Sequence, residues 1–233
     1  MTEISAVERL SGVVAPPERR VGGVGAVIEN NLREVGIKLP SDYVEFCQRF
    51  GSGYFWFSAK MSVLDLGSAN WHVAVGRCVE SIRARRDSLF SLAEAAACRL
   101  YPDPDGLIPW GCDDFGNVFT WDPLSSGLAD RWSVVVSVST PLLWDSDGEP
   151  SGPYDVAERL PVAARRVEAG LSQFLVRYEV GMAEFLWLMF LGMIPSDVYV
   201  MRSDGQCPSV RTIDEIPGLP GFLHAQFISE ELV

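Results

Sequence analysis

Little in this chain suits the common classes of catalyst. Among its 233 residues there are two histidines, His72 and His224. It has neither the HExxH pattern that places two zinc ligands and a base on one helix face nor the GxSxG elbow that exposes a serine nucleophile. The one glycine-rich run, Val21-Gly22-Gly23-Val24-Gly25, lacks the lysine and hydroxyl residue that a phosphate-binding loop needs. His72 follows Trp71 in an apolar stretch and reads as a packed histidine. The five cysteines, Cys47, Cys78, Cys98, Cys112 and Cys207, are odd in number and contain no CxxC pair. That scatter suits reduced, buried thiols of the cytosol and gives no zinc-ligand spacing.

Long apolar runs are also missing. The densest, residues 185–194, is far shorter than the roughly 20 residues that span a bilayer, so a buried helix is expected there. Residues 1–10 are charged and lack the apolar centre of a signal peptide, so a cytoplasmic location is expected. Bases are in deficit, with 19 Lys and Arg against 31 Asp and Glu and a net charge of −12. Such a chain repels nucleic-acid phosphates and anionic membranes and attracts basic partners. Solubility alone is the other reading of that charge.

What is present points to a folded core. Hydrophobic residues make up 48%, with 12 Phe and 7 Trp, enough bulky apolar surface to bury. The expected fold class is α+β: helices packed on a bent antiparallel β-sheet, in a single domain with a C-terminal extension. Residues 1–23 read as a flexible leader, 24–180 as the domain, and 181–233 as a C-terminal helix and extension packed on it. Val24, Ile28, Leu32 and Val35 recur at helical spacing. Ser41 reads as an N-cap, Tyr43, Phe46, Cys47 and Phe50 as one apolar helix face, and Gly51 as its stop. Short strands are expected at 54–57, 61–66, 107–110, 117–121 and 132–138, with a turn at 114–117 and a strand buried on both faces at Val134-Val135-Val136. Helices are expected at 78–86, 167–178 and 182–191, and a strand at 198–201. Trp110 and Trp121, on neighbouring strands, read as core residues. Arg77, Arg83, Arg85 and Arg86 form a local basic cluster that reads as a solvated face.

The negative charge is concentrated. Residues 101–158 carry eleven acids against the single base Arg131, a net −10 of the total −12. The acids fall mostly in expected turns, where Asp is common because it bonds nearby amides. That explains Asp105 and Asp114 but not the near absence of bases. The other reading is an acidic face that selects a cationic partner, with Asp103, Asp105, Asp113, Asp114, Asp145, Asp147 and Glu149 as its candidate residues. Asp103-Pro104-Asp105-Gly106 begins like a cation loop, but Pro104 stiffens it and no bidentate Glu follows. No metal or other cofactor is expected.

Three stretches, in order, resemble the SUKH superfamily. The first is Ile28-Glu29, then Leu39-Pro40-Ser41-Asp42-Tyr43, Phe46 and Gly51-Ser52-Gly53. The second is Pro102 through Gly111, then Asp114, Gly116-Asn117 and Trp121, followed by Asp130-Arg131-Trp132-Ser133-Val134-Val135-Val136. The third, Leu171-Ser172-Gln173-Phe174-Leu175, resembles the helix that ends the domain. The resemblance covers about residues 24–180. It implies an α+β domain, no shared catalytic residues, and so no enzyme. Many bacterial members are similar in role to immunity proteins that bind and neutralise a polymorphic toxin, often a nuclease. Others act as regulatory adaptors with an endogenous protein partner. Residues 139–161 and 181–233 depart from the simplest pattern of the family.

Overall fold

A computed structural model describes residues 4–17, 37–56, 60–89, 98–139 and 175–191, together with strand Phe227–Ser229. The helices are α1 (Ala6–Ser11), α2 (Ser41–Phe50), α3 (Trp71–Leu89) and α4 (Met182–Phe190). The strands are β1 (Gly53–Trp56), β2 (Lys60–Val63), β3 (Ile108–Asp113), β4 (Val118–Asp122), β5 (Ser133–Ser137), β6 (Leu175–Tyr178) and β7 (Phe227–Ser229). They form one seven-stranded sheet in the order β6-β5-β4-β3-β2-β1-β7, and every pairing is antiparallel. The chain is therefore an α+β protein built on a meander, and β5 is buried along its whole length. The expected helix at 24–35 and the strand at 198–201 lie outside the described residues.

Alternation along the strands sends side chains to two covered faces. Phe119 and Trp121 of β4 point to the side of α2 and α4, where Tyr43 meets Trp121 edge-on at 5.2 Å and Phe185 meets Phe119 at 5.9 Å. Trp110, two residues on from Ile108, which pairs with Trp121, joins them by alternation, and the register shift between Pro109 and Gly111 turns Cys112 to the opposite face beside Val118. Such a bulge re-aims one side chain, and Trp110 lies 6.2 Å from Trp121 and 6.1 Å from Phe185. Gly111 must be glycine, since a Cβ there would stand 2.9 Å from the Ser62 carbonyl oxygen. The opposite face, carrying Cys112, Val118 and Ser137, packs under α3.

Tyr43 also ties α2 to the chain after β2. Its hydroxyl donates to Leu64 O at 2.6 Å and accepts from Leu66 N at 3.2 Å. Gly51 ends α2 at φ 79°, with its amide on Cys47 O at 2.9 Å. The hairpin between β3 and β4 closes at Gly116, φ 84°.

Four expectations change. The leader is anchored where it is described: Val7, Leu10 and Val14 are fully buried. Arg9 lies over the Trp187 ring and beside Glu184, so α1 docks on α4 through apolar contact and charge. Second, Ser41 is the first helical residue of α2 and caps nothing with its side chain. Pro40 holds the cap position, and the Ser41 amide donates to Asp130 at 2.6 Å. Third, α3 begins at Trp71, seven residues earlier than the pattern suggested, and leaves His72 exposed rather than packed. Fourth, residues 175–178 are a strand. Leu175 and Tyr178 are both buried at helix-like spacing because both faces of the sheet are covered there. Beyond residue 180, among the described residues, α4 buries seven of its nine residues and β7 pairs with β1.

The aromatic layer sets the first expectation for stability. Phe185→Ala, which empties the centre between Trp110, Phe119 and Tyr178, is expected to cost about 3–5 kcal/mol in urea unfolding. Leu191→Ala, exposed at the end of α4, is expected to change stability by less than about 0.5 kcal/mol.

Candidate functional site

Strand direction decides which acids can act together. The loop at 101–106 enters β3 at Ile108, whereas Asp113 and Asp114 stand at its far end. Six residues at about 3.3 Å each separate the two groups by roughly 20 Å. Asp103 and Asp105 are exposed at one end of the sheet, and Asp114 is exposed at the other. Asp145, Asp147 and Glu149 lie outside the described residues. The seven candidate acids thus do not form one cluster among the described residues.

Asp113 is not a surface residue. It is 8% exposed. Its Oδ1 accepts from the amides of Phe115 at 3.0 Å and Asn117 at 2.9 Å, and its Oδ2 accepts from Asn117 Nδ2 at 2.8 Å. Burial nonetheless pushes its carboxyl up, and the hydrogen bonds work against that shift. This carboxylate builds the hairpin and leaves no face for a partner. The neighbouring Asp114 exchanges hydrogen bonds with the Lys60 backbone.

The end that carries Asp103 and Asp105 is better furnished. Its loop is closed by Leu107 N to Arg99 O at 2.9 Å and Gly106 N to Asp103 O at 3.0 Å. Asp105 sits at φ 59°, a conformation that Asp and Asn tolerate. Gly106 runs against Leu100, where a Cβ would meet backbone at 2.5 Å. The acids are therefore held out on a tightly built loop. Beside it, at the same end of the sheet, runs the connection from β4 to β5, with two 3-10 turns at Pro123–Ser125 and Ala129–Arg131. It exposes Leu124 at 62% and Leu128 at 59%, with Trp132 half-buried and its Nε1 on Ser126 O at 3.0 Å.

Two other acids at this end hold helix starts. Asp130 accepts from Ser41 N, and this contact chiefly holds its carboxyl below the usual range. Asp42, in the first turn of α2, does not serve its own helix alone. Its Oδ2 accepts from Ala183 N at 2.9 Å, at the start of α4. Burial raises its carboxyl, and the charges of Asp130 and Glu45 add to that. Gly181 permits the approach, since a Cβ there would stand 2.7 Å from Asp42 Oδ2. Asp122, 2% exposed, pairs with Arg177 and accepts from Leu124 N at 2.9 Å. Sequence reasoning missed all three roles. Asp42 and Ala183 lie 141 residues apart, and no local spacing marks such a pair.

The arginine cluster is largely spent on the chain itself. Arg83 pairs with Glu80 and Arg86 with Asp87. Arg85 donates to Gly116 O at 2.9 Å and Ser137 Oγ at 3.2 Å. Trp110 and Trp121 are fully buried core residues, as their strand positions suggested. Among the described residues no cluster of His, Cys, Asp and Glu could hold a metal ion, and no helix is long and apolar enough to cross a membrane. No family model, curated protein or solved structure matches this chain.

Asp113→Ala is expected to lose about 2 kcal/mol, because two hairpin amides lose their acceptor, whereas Asp103→Ala should stay within about 0.5 kcal/mol in the same urea titration. The helix-start acids predict opposite pH effects. Asp130 has a lowered folded pKa, so its stabilisation is present above the ordinary carboxylate value of about 4 and is lost as pH falls through the lowered one. Asp130→Asn should flatten that acid limb. Asp42 has a raised folded pKa, so the cost of burying its charge appears as pH rises through the raised value. Asp42→Asn, whose amide oxygen still accepts from Ala183, should melt no lower than the parent at pH 7. A clear fall in melting temperature would show that the charge itself is needed.

Proposed function

We propose that this protein is a cytoplasmic immunity protein. It binds a basic bacterial toxin, a nuclease or similar polymorphic toxin domain, in a one-to-one complex and blocks it by contact rather than by catalysis. The observation that carries this reading is the charge: eleven acids against one base over residues 101–158. Coulomb attraction from such an excess of negative charge speeds encounter with a cationic partner and rejects anionic ones. The resemblance of the Leu39–Gly53 and Pro102–Trp121 stretches to the SUKH superfamily supports the same reading. So does the α+β meander that carries those stretches.

The contact surface in this reading is the sheet end that bears Asp103 and Asp105, with the exposed Leu124 and Leu128 beside them. Exposed apolar residues supply the contact that water exclusion stabilises, and the acids select the sign of the partner. Asp145, Asp147 and Glu149 lie outside the described residues and are not assigned to this surface. Asp113 has no part in it.

The test uses the purified protein and a catalytically inactive form of the toxin candidate from the neighbouring gene. Calorimetry should give a one-to-one complex that weakens as salt rises. Asp103→Asn with Asp105→Asn should slow association roughly tenfold with a smaller effect on dissociation. Asparagine is chosen because it tolerates the backbone of Asp105. A complex indifferent to salt would move the interface to apolar surface. The absence of a complex, with cells lacking this gene unharmed by the toxin, would overturn the reading in favour of an adaptor with an endogenous partner.

A further inference from the structure

The connection from β4 to β5 is bonded along its whole course. Asp122 stands at its start, buried, with Oδ1 accepting from Leu124 N at 2.9 Å and Oδ2 paired with Arg177 of β6. The Ser125 hydroxyl donates to Asp122 O at 2.6 Å and accepts from Ser133 N at 2.8 Å, which closes the connection on itself. Ser126 Oγ accepts from Leu128 N at 3.2 Å, and Ser126 O accepts from the Trp132 indole at 3.0 Å. Arg131 N donates to Leu128 O at 2.9 Å and Trp132 N to Ala129 O at 3.0 Å. Asp130 then fastens the far side to the start of α2. A loop held in this way loses little further freedom when it docks on another molecule.

What this loop holds outward is apolar. Leu124 and Leu128 are the two most exposed large hydrophobic side chains among the described residues. Gly127, between them, is exposed, and a Cβ there would meet nothing within 4 Å. Apolar residues scattered singly are ordinary on a surface. This pair is not scattered, since a buried ion pair and two serine hydroxyls keep its backbone in place. Charge at this end of the sheet is mixed: Asp103 and Asp105 are exposed, and so are Arg99 and Arg131. The leucines therefore fix where a partner docks, and the charge of the whole chain sets which partner approaches.

We propose that Leu124 and Leu128 are the apolar anchor of a protein-docking site and enter an apolar cleft on a partner of net positive charge. The proposal rests on the immunity reading and adds to it the residues that hold the partner once it is met. The sign of the partner follows from the net charge of −12: two copies of this chain repel each other, whereas a basic protein is drawn in. The two stages of binding then separate. Long-range attraction governs association, and burial of the leucines governs dissociation. Asp122 and Arg177 are positioning residues, which act through the loop by keeping Leu124 outward.

The test has two parts. In the free full-length protein, the amides of Leu124, Arg131 and Trp132 should exchange hydrogen at least about tenfold more slowly than in an unstructured chain. Exchange at the unstructured rate would overturn the proposal with no partner in hand. The second part measures binding kinetics with the catalytically inactive toxin domain from the neighbouring gene. Leu124→Asn and Leu128→Asn, both at exposed positions, should each raise the dissociation rate at least about tenfold and leave the association rate within about twofold. Gly127→Gln, which adds bulk without charge where the fold leaves open space, should speed dissociation to a similar extent. Circular dichroism should find all three variants folded as the parent. Unchanged dissociation in folded variants would overturn the docking site and leave the immunity reading standing, whereas the absence of any complex with the parent protein would overturn both. Sedimentation should find the parent monomeric; a dimer that Leu124→Asn dissolves would place a second copy on the site and overturn the choice of partner.

Discussion

Burial of Trp110, Phe119 and Trp121 beneath Tyr43 and Phe185 is the contact on which the arrangement of this protein depends. It joins the central strands to α2 and α4, which lie far apart along the chain. Each large aromatic buried in full stabilises the fold by about 3 kcal/mol, and edge-on ring contacts add to that. The bulge in β3 ends the aromatic run. Without the register shift between Pro109 and Gly111, Cys112 would follow Ile108 and Trp110 onto this face; with it, Cys112 pairs with Val118 on the other. With α2 and α4 fixed over the sheet, their N-termini fall close together at one end of it.

That placement explains why carboxylates gather there. A helix start presents amides that lack partners and a partial positive charge. Here the partners come from elsewhere in the chain, Asp130 for α2 and Asp42 for α4. One acid is shifted down and the other up because their surroundings differ. Asp130 is exposed and bonded to an amide, whereas the carboxylate of Asp42 is shielded from water. Part of the acidity in this chain is therefore structural. The acids left for another molecule are those that the fold holds outward, Asp103 and Asp105 at the same end and Asp114 at the far one.

The opposite face follows a different rule. Beneath α3 the sheet carries small and polar groups, Cys112, Thr120 and Ser137, rather than aromatics. Arg85 can enter this layer because it finds the Gly116 carbonyl and the Ser137 hydroxyl; a buried guanidinium without such partners would be costly. This fixes α3 over the hairpin. The hairpin is thus held twice, from within by Asp113 and from above by Arg85.

The sequence by itself determined what local physics controls. The α+β class, the apolar face of α2, the stop at Gly51, the turn before Gly116 and the doubly buried Val134-Val135-Val136 were all legible, because periodicity and glycine conformation act over a few residues. Strand identity at Leu175–Tyr178 was not, since a strand with both faces covered can bury residues at helix-like spacing. The anchoring of α1 was not legible either, because its partners Trp187 and Glu184 lie far along the chain. Of the candidate acids, composition supplied the number and the sign. Only the tertiary structure decided that Asp113 belongs to a hairpin, that Asp103 and Asp114 face opposite ends of β3, and that Asp42 and Asp130 hold helix starts. Charge is a property of composition, but where a carboxylate points depends on strand direction and on which distant amide needs an acceptor, and neither is written in local spacing.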